Sequence, residues 1–192
     1  MATTAKQKGS EKWKTKQWFD VKTPDVFGNE VIGSIPASDA KSAVNRVLKV
    51  SLSWITHNPS HSFLNVGLRI DNAVNNAATT KLDFIENQFS YLHSLVKRHS
   101  DAIYTYDVAK SKDGKNMIVK LLLTTRNKSP YSKKHAVRLE LSKYIQEFCT
   151  AHTADEFVKS ILSSEFQGEG LKRLNKIVPL SKFEIKRIEL KG

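Results

Sequence analysis

Between Val47 and Ile70 the apolar residues fall on every second position. Leu48, Val50, Leu52 and Trp54 alternate with Lys49, Ser51 and Ser53, and Leu64, Val66, Leu68 and Ile70 alternate with Asn65, Gly67 and Arg69. A period of two predicts half-buried strands, and the intervening His57-Asn58-Pro59-Ser60-His61 turn predicts that they pair antiparallel. Two later runs, Ile103–Ala109 and Asn116–Thr125, surround Lys112-Asp113-Gly114-Lys115. Asp-Gly between apolar runs predicts a hairpin. From Met117 to Leu123 only Lys120 is polar, so the second strand is expected to be central and covered on both faces. Trp18–Val21 reads as a short strand followed by turn chemistry at Thr23-Pro24 and Phe27-Gly28-Asn29. Phe183–Leu190 reads as a final strand whose apolar phase slips between Ile185 and Ile188, the mark of a bulge.

Elsewhere the period lengthens to that of a helix. Over Ser132–Ala151, Val137, Leu141, Tyr144, Ile145 and Phe148 share one side, as an amphipathic helix requires. Thr153 with Glu156 three positions on forms a capping box that opens a helix through Leu162. Gly168 and Gly170 are expected to break it, and a short helix through Leu171 and Leu174 ends before Pro179. Asp83 is expected to cap a helix carrying Ile85, Phe89, Leu92 and Val96, and Ser38-Asp39 a brief turn through Val44. Val31, Ile32 and Ile35 form a short apolar patch ending at Pro36, and Asp71–Thr80, rich in Asn and Ala, reads as a surface loop. The fold class is α+β, antiparallel-rich, with helices packed in the C-terminal half.

A chain of 192 residues with 40% hydrophobic content can bury one core. Residues 1–16 are polar and lysine-rich and are expected to form a flexible basic arm; residues 17–192 are expected to form a single domain. Trp18, beside Phe19 and Val21, is expected to anchor the arm, while Trp13 divides between anchoring and stacking on a base. There is no apolar run long enough for a membrane span and no apolar leader, which points to a soluble intracellular protein with no membrane partner. Cys149, the single cysteine, is expected to be a buried helix residue.

Charge changes the picture most. From Lys110 to Arg138 nine basic residues face one acid, Asp113, and from Met1 to Lys22 six face two; these two stretches carry the whole net charge of +12. The rest of the chain is neutral in aggregate. Local basicity of this kind is the footprint of a polyanion partner, whose phosphates Lys and Arg neutralise. The candidate RNA-binding residues are Lys110, Lys112 and Lys115 at the hairpin tip; Arg126, Lys128, Lys133, Lys134 and Arg138 leading into the long helix; Lys97 and Arg98; and Lys12, Lys14 and Lys16 in the arm. The tip lysines and the Arg126–Arg138 group are expected to form one continuous ridge. Lys133, Lys134 and Arg138 lie at a helix start, against the dipole preference for acids there. An anion held by free N–H groups and cations together would account for them.

His57 and His61 stand four apart, but Pro59 between them disfavours a shared helical face, so neither a metal site nor a cofactor is expected. Asp101, Asp107 and Asp113 read as strand-end and turn residues rather than a catalytic set, and no P-loop, nucleophile elbow or metalloprotease motif is present. An enzyme is not expected. Three classes remain in play: a structural RNA-binding protein, a free RNA-binding factor, and an RNA-processing nuclease with scattered carboxylates.

The order of parts then becomes specific. Lys16-Gln-Trp-Phe-Asp-Val-Lys-Thr-Pro-Asp-Val-Phe-Gly-Asn-Glu-Val-Ile-Gly-Ser-Ile-Pro-Ala37 resembles the opening of the small-subunit ribosomal protein family eS1, also called S3Ae. Leu92–Arg98, Lys112-Asp-Gly114, Thr125–Tyr131 followed by Val137-Arg138, and Ile177–Leu180 followed by Glu184–Arg187 come in that family's order. The resemblance implies a β-barrel core with helices, and no catalytic site. It also implies a structural role in cytoplasmic ribosomes, on the small-subunit platform near the mRNA exit. The partners implied are small-subunit rRNA, neighbouring platform proteins and mRNA near the exit, with no homo-oligomer. The absence of a long C-terminal extension resembles the archaeal type. Asn72–Lys81 departs from the family's glycine-containing approach to the following helix.

Overall fold

A computed structural model describes residues 16–191 of the protein. Among these residues eight strands and six α-helices follow in the order β1 (Gln17–Lys22), β2 (Val31–Ala37), α1 (Ala40–Ala43), β3 (Val47–Ser51), α2 (Leu52–Thr56), β4 (Leu64–Val74), β5 (Ala77–Asn87), α3 (Phe89–Leu95), β6 (Ala102–Lys110), β7 (Asn116–Thr125), α4 (Tyr131–Ala151), α5 (Ala154–Leu162), α6 (Glu165–Leu174) and β8 (Leu180–Lys191). The strands form one mixed sheet, ordered β2-β1-β5-β8-β7-β6, with β4 and then β3 branching from β5. β5 is the shared strand. β4 pairs along one side of it; on the other, β1 runs parallel to residues Ala77–Thr79 and β8 antiparallel to Phe84–Glu86.

The core sits where α4, α5 and α6 cover one face of β6, β7 and β8. Met117, Val119, Leu121 and Leu123 of β7 meet Val137, Leu141 and Ile145 of α4 there, with Phe157, Phe166 and Phe183 closing the cluster. β7 is central and buried on both faces, as its unbroken apolar run predicts, with Ile118 and Leu122 buried on the face away from α4. The hairpin β6–β7 forms through Gly114, whose φ of 76° is the left-handed conformation its turn requires. In β8 the pairing steps from Arg187 opposite Lys120 to Ile185 opposite Leu121, so Lys186 is the extra residue of the expected bulge. Cys149 is buried, and burial pushes its thiol up to about 12, well clear of thiolate chemistry.

Several expectations are corrected. Among the described residues no barrel closes: β2 and β3 each pair on one side only, and no ladder joins them across the groove of about 330 Å³ that they flank. Pro36 removes a donor from β2 and β3 ends after five residues, which leaves little edge to zip. Asp71–Thr80 is a hairpin, not a loop; β4 and β5 continue through it, turning at Asn75 and Asn76 with φ of 47° and 63°. Two consecutive left-handed residues are what a tight hairpin turn needs, and asparagine tolerates them. Asp83 caps no helix. It lies in β5 and pairs with Arg69 on β4 at 2.9 Å, while Phe89 and Val96, assigned to the helix's apolar face, are exposed. The strand expected through Trp54 ends at Ser51, and Trp54 is 72% exposed on α2. The apolar patch Val31 to Pro36 lies within strand β2, and Trp18 is 55% exposed, leaving Phe19 and Val21 to anchor β1.

The break after α5 comes at Ser164, with φ of 60°, and both glycines lie inside α6. Packing outweighs the poor helix propensity of glycine there. A Cβ on Gly170 would stand 2.8 Å from the Phe183 ring and 3.1 Å from that of Tyr144, so the missing side chain is what lets α6 approach the core.

On the opposite face of β8, Tyr91 Oη donates to Glu184 Oε1 at 3.0 Å. Burial raises the Glu184 carboxyl above its ordinary value, against the hydrogen bond from Tyr91 and the charge of Lys182. Burial, helped by Glu184, likewise pushes the Tyr91 phenol up to about 12. A carboxyl whose folded value lies above the unfolded one, about 4.3, stabilises the fold fully below that pH and loses the contribution as pH rises through the folded value. Glu184→Gln keeps an acceptor for Tyr91. It is therefore expected to be more stable than the parent at pH 7, with the difference vanishing near pH 4 in paired thermal melts; a difference independent of pH would contradict this account.

Candidate nucleic-acid interface

The fold separates the basic residues that the sequence joins. The ten residues of β7 lie between Lys115 and Arg126, which at strand rise is on the order of 30 Å. The expected continuous ridge is therefore two patches at opposite ends of the β6–β7 hairpin. At the tip, Lys110, Lys112 and Lys115 are exposed. Ser111 Oγ donates to the His152 carbonyl at 3.1 Å, and Asp113 Oδ2 accepts from Ala154 N at 3.2 Å. These bonds pin the turn to the α4–α5 junction and consume its one acid. Among the described residues the three lysines have no carboxylate partner.

The second patch is built around Asp101. Its carboxylate accepts from Ser129 N at 2.9 Å and Lys134 Nζ at 3.3 Å, and its backbone exchanges hydrogen bonds with Thr125. The Ser129 bond, then Lys134 and the charge of Lys128, hold this carboxyl below the usual range. Connector 126–130 is thereby drawn onto the start of β6. Lys97 and Arg98, in the turn that precedes Asp101, reach the same end of the sheet. Lys97, Arg98, Arg126, Lys128 and Lys133 are all exposed, and among the described residues none of them lies within ion-pair distance of a carboxylate, Lys128 reaching Asp101 only through its charge.

The helix start adds donors. Pro130 is the N-cap of α4 and offers no side-chain cap, and the first turn holds no acid. The first intrahelical bond is from Lys134 N to Pro130 O, so the N–H groups of Tyr131, Ser132 and Lys133 point outward beside the cations. Not every cation contributes equally. Lys134, Arg138 and Ser142 lie one turn apart on a single helix face, and Lys134 reaches Asp101 just before β6 while Ser142 reaches Asp107 within it, the latter at 2.6 Å. Lys134 thus has a structural explanation, and Arg138 is half-buried in the same row. Lys16 is exposed at the first described position, and Lys12 and Lys14 lie outside the described residues.

The low Asp101 value has a measurable consequence. A carboxyl depressed on folding stabilises the protein above its unfolded value, about 3.9, and that stability is lost as pH falls through the lower folded one. Asp101→Asn is expected to lower thermal stability at pH 7 and to flatten its decline below about pH 4. An unchanged acid limb would remove Asp101 from the account.

The aspartates that a nuclease would need are engaged in structure: Asp101 and Asp107 tie α4 and its connector to β6, and Asp113 fastens the tip. His61 Nδ1 faces Thr56 Oγ1 at 3.0 Å, and no three His, Cys, Asp or Glu residues cluster as metal ligands among the described residues. No helix among them is long and apolar enough to cross a membrane. What the geometry defines is an α+β protein with two exposed clusters of cations, one of them beside free backbone donors at the start of α4.

The family model of ribosomal S3Ae matches residues 4–191, and the chain belongs to that family. Three archaeal relatives, each named small ribosomal subunit protein eS1, align over 94% of this chain. The protein of Methanoculleus marisnigri is 30% identical with 91% of its own length covered, that of Sulfurisphaera tokodaii 30% with 93%, and that of Staphylothermus marinus 29% with 85%.

Proposed function

We propose that the protein is a structural constituent of the small ribosomal subunit and holds rRNA by its phosphates. The observation that carries this reading is the grouping of five exposed cations, none of them in an ion pair among the described residues, at the end of the sheet where the uncapped N-terminus of α4 lies. Phosphates take both the charge and the free N–H groups, and recognition of this kind depends on backbone rather than base sequence. The tip lysines form a second contact, far enough away to bridge separate RNA segments. Membership of a ribosomal family supports the assembly partner, with neighbouring proteins of the subunit as further contacts. The platform near the mRNA exit, and proximity to mRNA there, is the position that the family resemblance implies, and it makes the protein a cytoplasmic one. The role needs no catalytic centre, cofactor or metal, and it uses one copy per subunit.

Sedimentation of cell extract at physiological salt tests the assignment. The endogenous protein is expected with small subunits, and recovery only at the top of the gradient would favour a free RNA-binding factor. Metal-dependent RNA cleavage lost on substituting a carboxylate would favour the nuclease.

A further inference from the structure

Among the described residues β6 is an edge strand, and one of its faces is largely bare. Tyr104, Tyr106 and Val108, alternating along it, are 50%, 61% and 54% exposed. Each tyrosine carries an ammonium group: Lys186 Nζ lies 5.2 Å from the Tyr104 ring centre and Lys120 Nζ 5.8 Å from that of Tyr106. Lys186 is the residue that the β8 bulge inserts on this face. Lys120 is held by Glu189 at 2.8 Å, whereas Lys186 and Lys110 at the strand end are exposed and have no carboxylate partner among the described residues.

We propose that this face is a stacking platform for single-stranded RNA, with bases on Tyr104 and Tyr106 and phosphates met by Lys110 and Lys186. Spacing argues for a single strand. Side chains two apart on a strand are about 6.8 Å apart, about twice the 3.4 Å step of bases stacked in a duplex. Bases taken one per ring must already be unstacked from each other, as loops and single strands allow and a helix does not. The lysine ammonium that covers Tyr104 is the cation a phosphate beside the incoming base would draw off, freeing the ring face. Charge complementarity of this kind separates the surface from an apolar protein-docking patch, which calls for an uncharged centre. The proposal rests on the RNA-binding reading above and names a second mode of contact, through bases rather than phosphates alone.

The test compares full-length protein binding to a short oligouridylate and to a blunt RNA duplex. Tyr104→Leu with Tyr106→Leu, which keeps apolar bulk but removes the π faces, is expected to lose at least about tenfold in oligouridylate affinity. Duplex binding and the salt slope should stay as in the parent. Tyr104→Phe with Tyr106→Phe should restore single-strand binding, and because it keeps the fold's packing it separates stacking from misfolding. Parental affinity in the leucine pair, or loss in the phenylalanine pair, overturns the proposal; the first result would leave the patch as a protein-docking surface. A parent that binds duplex but not oligouridylate also overturns it while leaving the phosphate reading intact, and a parent that binds neither RNA overturns both.

Discussion

Replacing Arg126, Lys128 and Lys133 together by alanine is expected to weaken binding to structured small-subunit rRNA and to flatten its dependence on salt. Each duplex phosphate that is no longer neutralised should reduce the slope of log affinity against log salt by about 0.9. All three side chains are exposed and none donates a hydrogen bond to Asp101, Lys128 acting on it only through its charge, so their removal leaves the hydrogen bonds around Asp101 in place. The effect should therefore be mainly on binding, with only a small loss of thermal stability from removing the Lys128 charge beside Asp101. Lys110, Lys112 and Lys115 replaced by alanine should act through the other patch, on the order of 30 Å away, and the two triple variants should combine additively. Reduced affinity with an unchanged slope would count against phosphate binding by these side chains. Strong non-additivity would show that one RNA element spans both patches and binds as a unit. Lys134 behaves differently: its alanine variant should lose stability as well as charge, because Lys134 Nζ is a partner of Asp101.

Phe166→Ala is expected to be the most damaging single core change, costing about 3–5 kcal/mol in denaturant unfolding. The Phe166 side chain is fully buried, with ring centres of Tyr144, Phe148, Phe157 and Phe183 at 5.2, 5.0, 5.3 and 5.6 Å. It therefore joins α4, α5, α6 and β8 at one point. Four aromatic neighbours anchored on three different elements cannot collapse together into the space, so the transfer loss and the cavity both count. Whole-domain stability is about 5–15 kcal/mol, so the loss is a large fraction of it. A cost below about 1 kcal/mol would mean that the α4–α6 layer repacks freely. The RNA salt slope of this variant, measured where it is folded, should equal the parent's, which separates the core from the interface.

The features legible in the chain were those decided by near neighbours. Asp113-Gly114 set the β6–β7 turn, Thr153 and Glu156 closed the capping box on α5, and the phase slip between Ile185 and Ile188 marked the extra residue Lys186. Each is a relation among a few consecutive residues, with the physics contained in the same stretch. The reading of β5 as a loop and then a helix failed for the opposite reason. Ala77–Asn87 has weak local preference, and its state is set by three partners, β1, β4 and β8, at three sequence distances. Asn87 Nδ2 donates to the carbonyl of Ile185, 98 positions away; nothing within the segment announces such a bond. Gly168 and Gly170 misled likewise, since propensity favoured a break and packing against Phe183 and Tyr144 decided for a helix.

The candidate site divides along the same line. By itself the sequence determined that the net charge is concentrated in two stretches, because composition is independent of folding, and that Lys133 and Lys134 stand at a helix start. Only the tertiary structure decided that β7 splits the basic stretch into two patches, that Asp101 takes Lys134 back into the fold from 33 positions away, and that Tyr104 and Tyr106 stand exposed on an edge strand. Charge is carried by each residue wherever it lies, but its availability to a partner depends on what the fold places beside it.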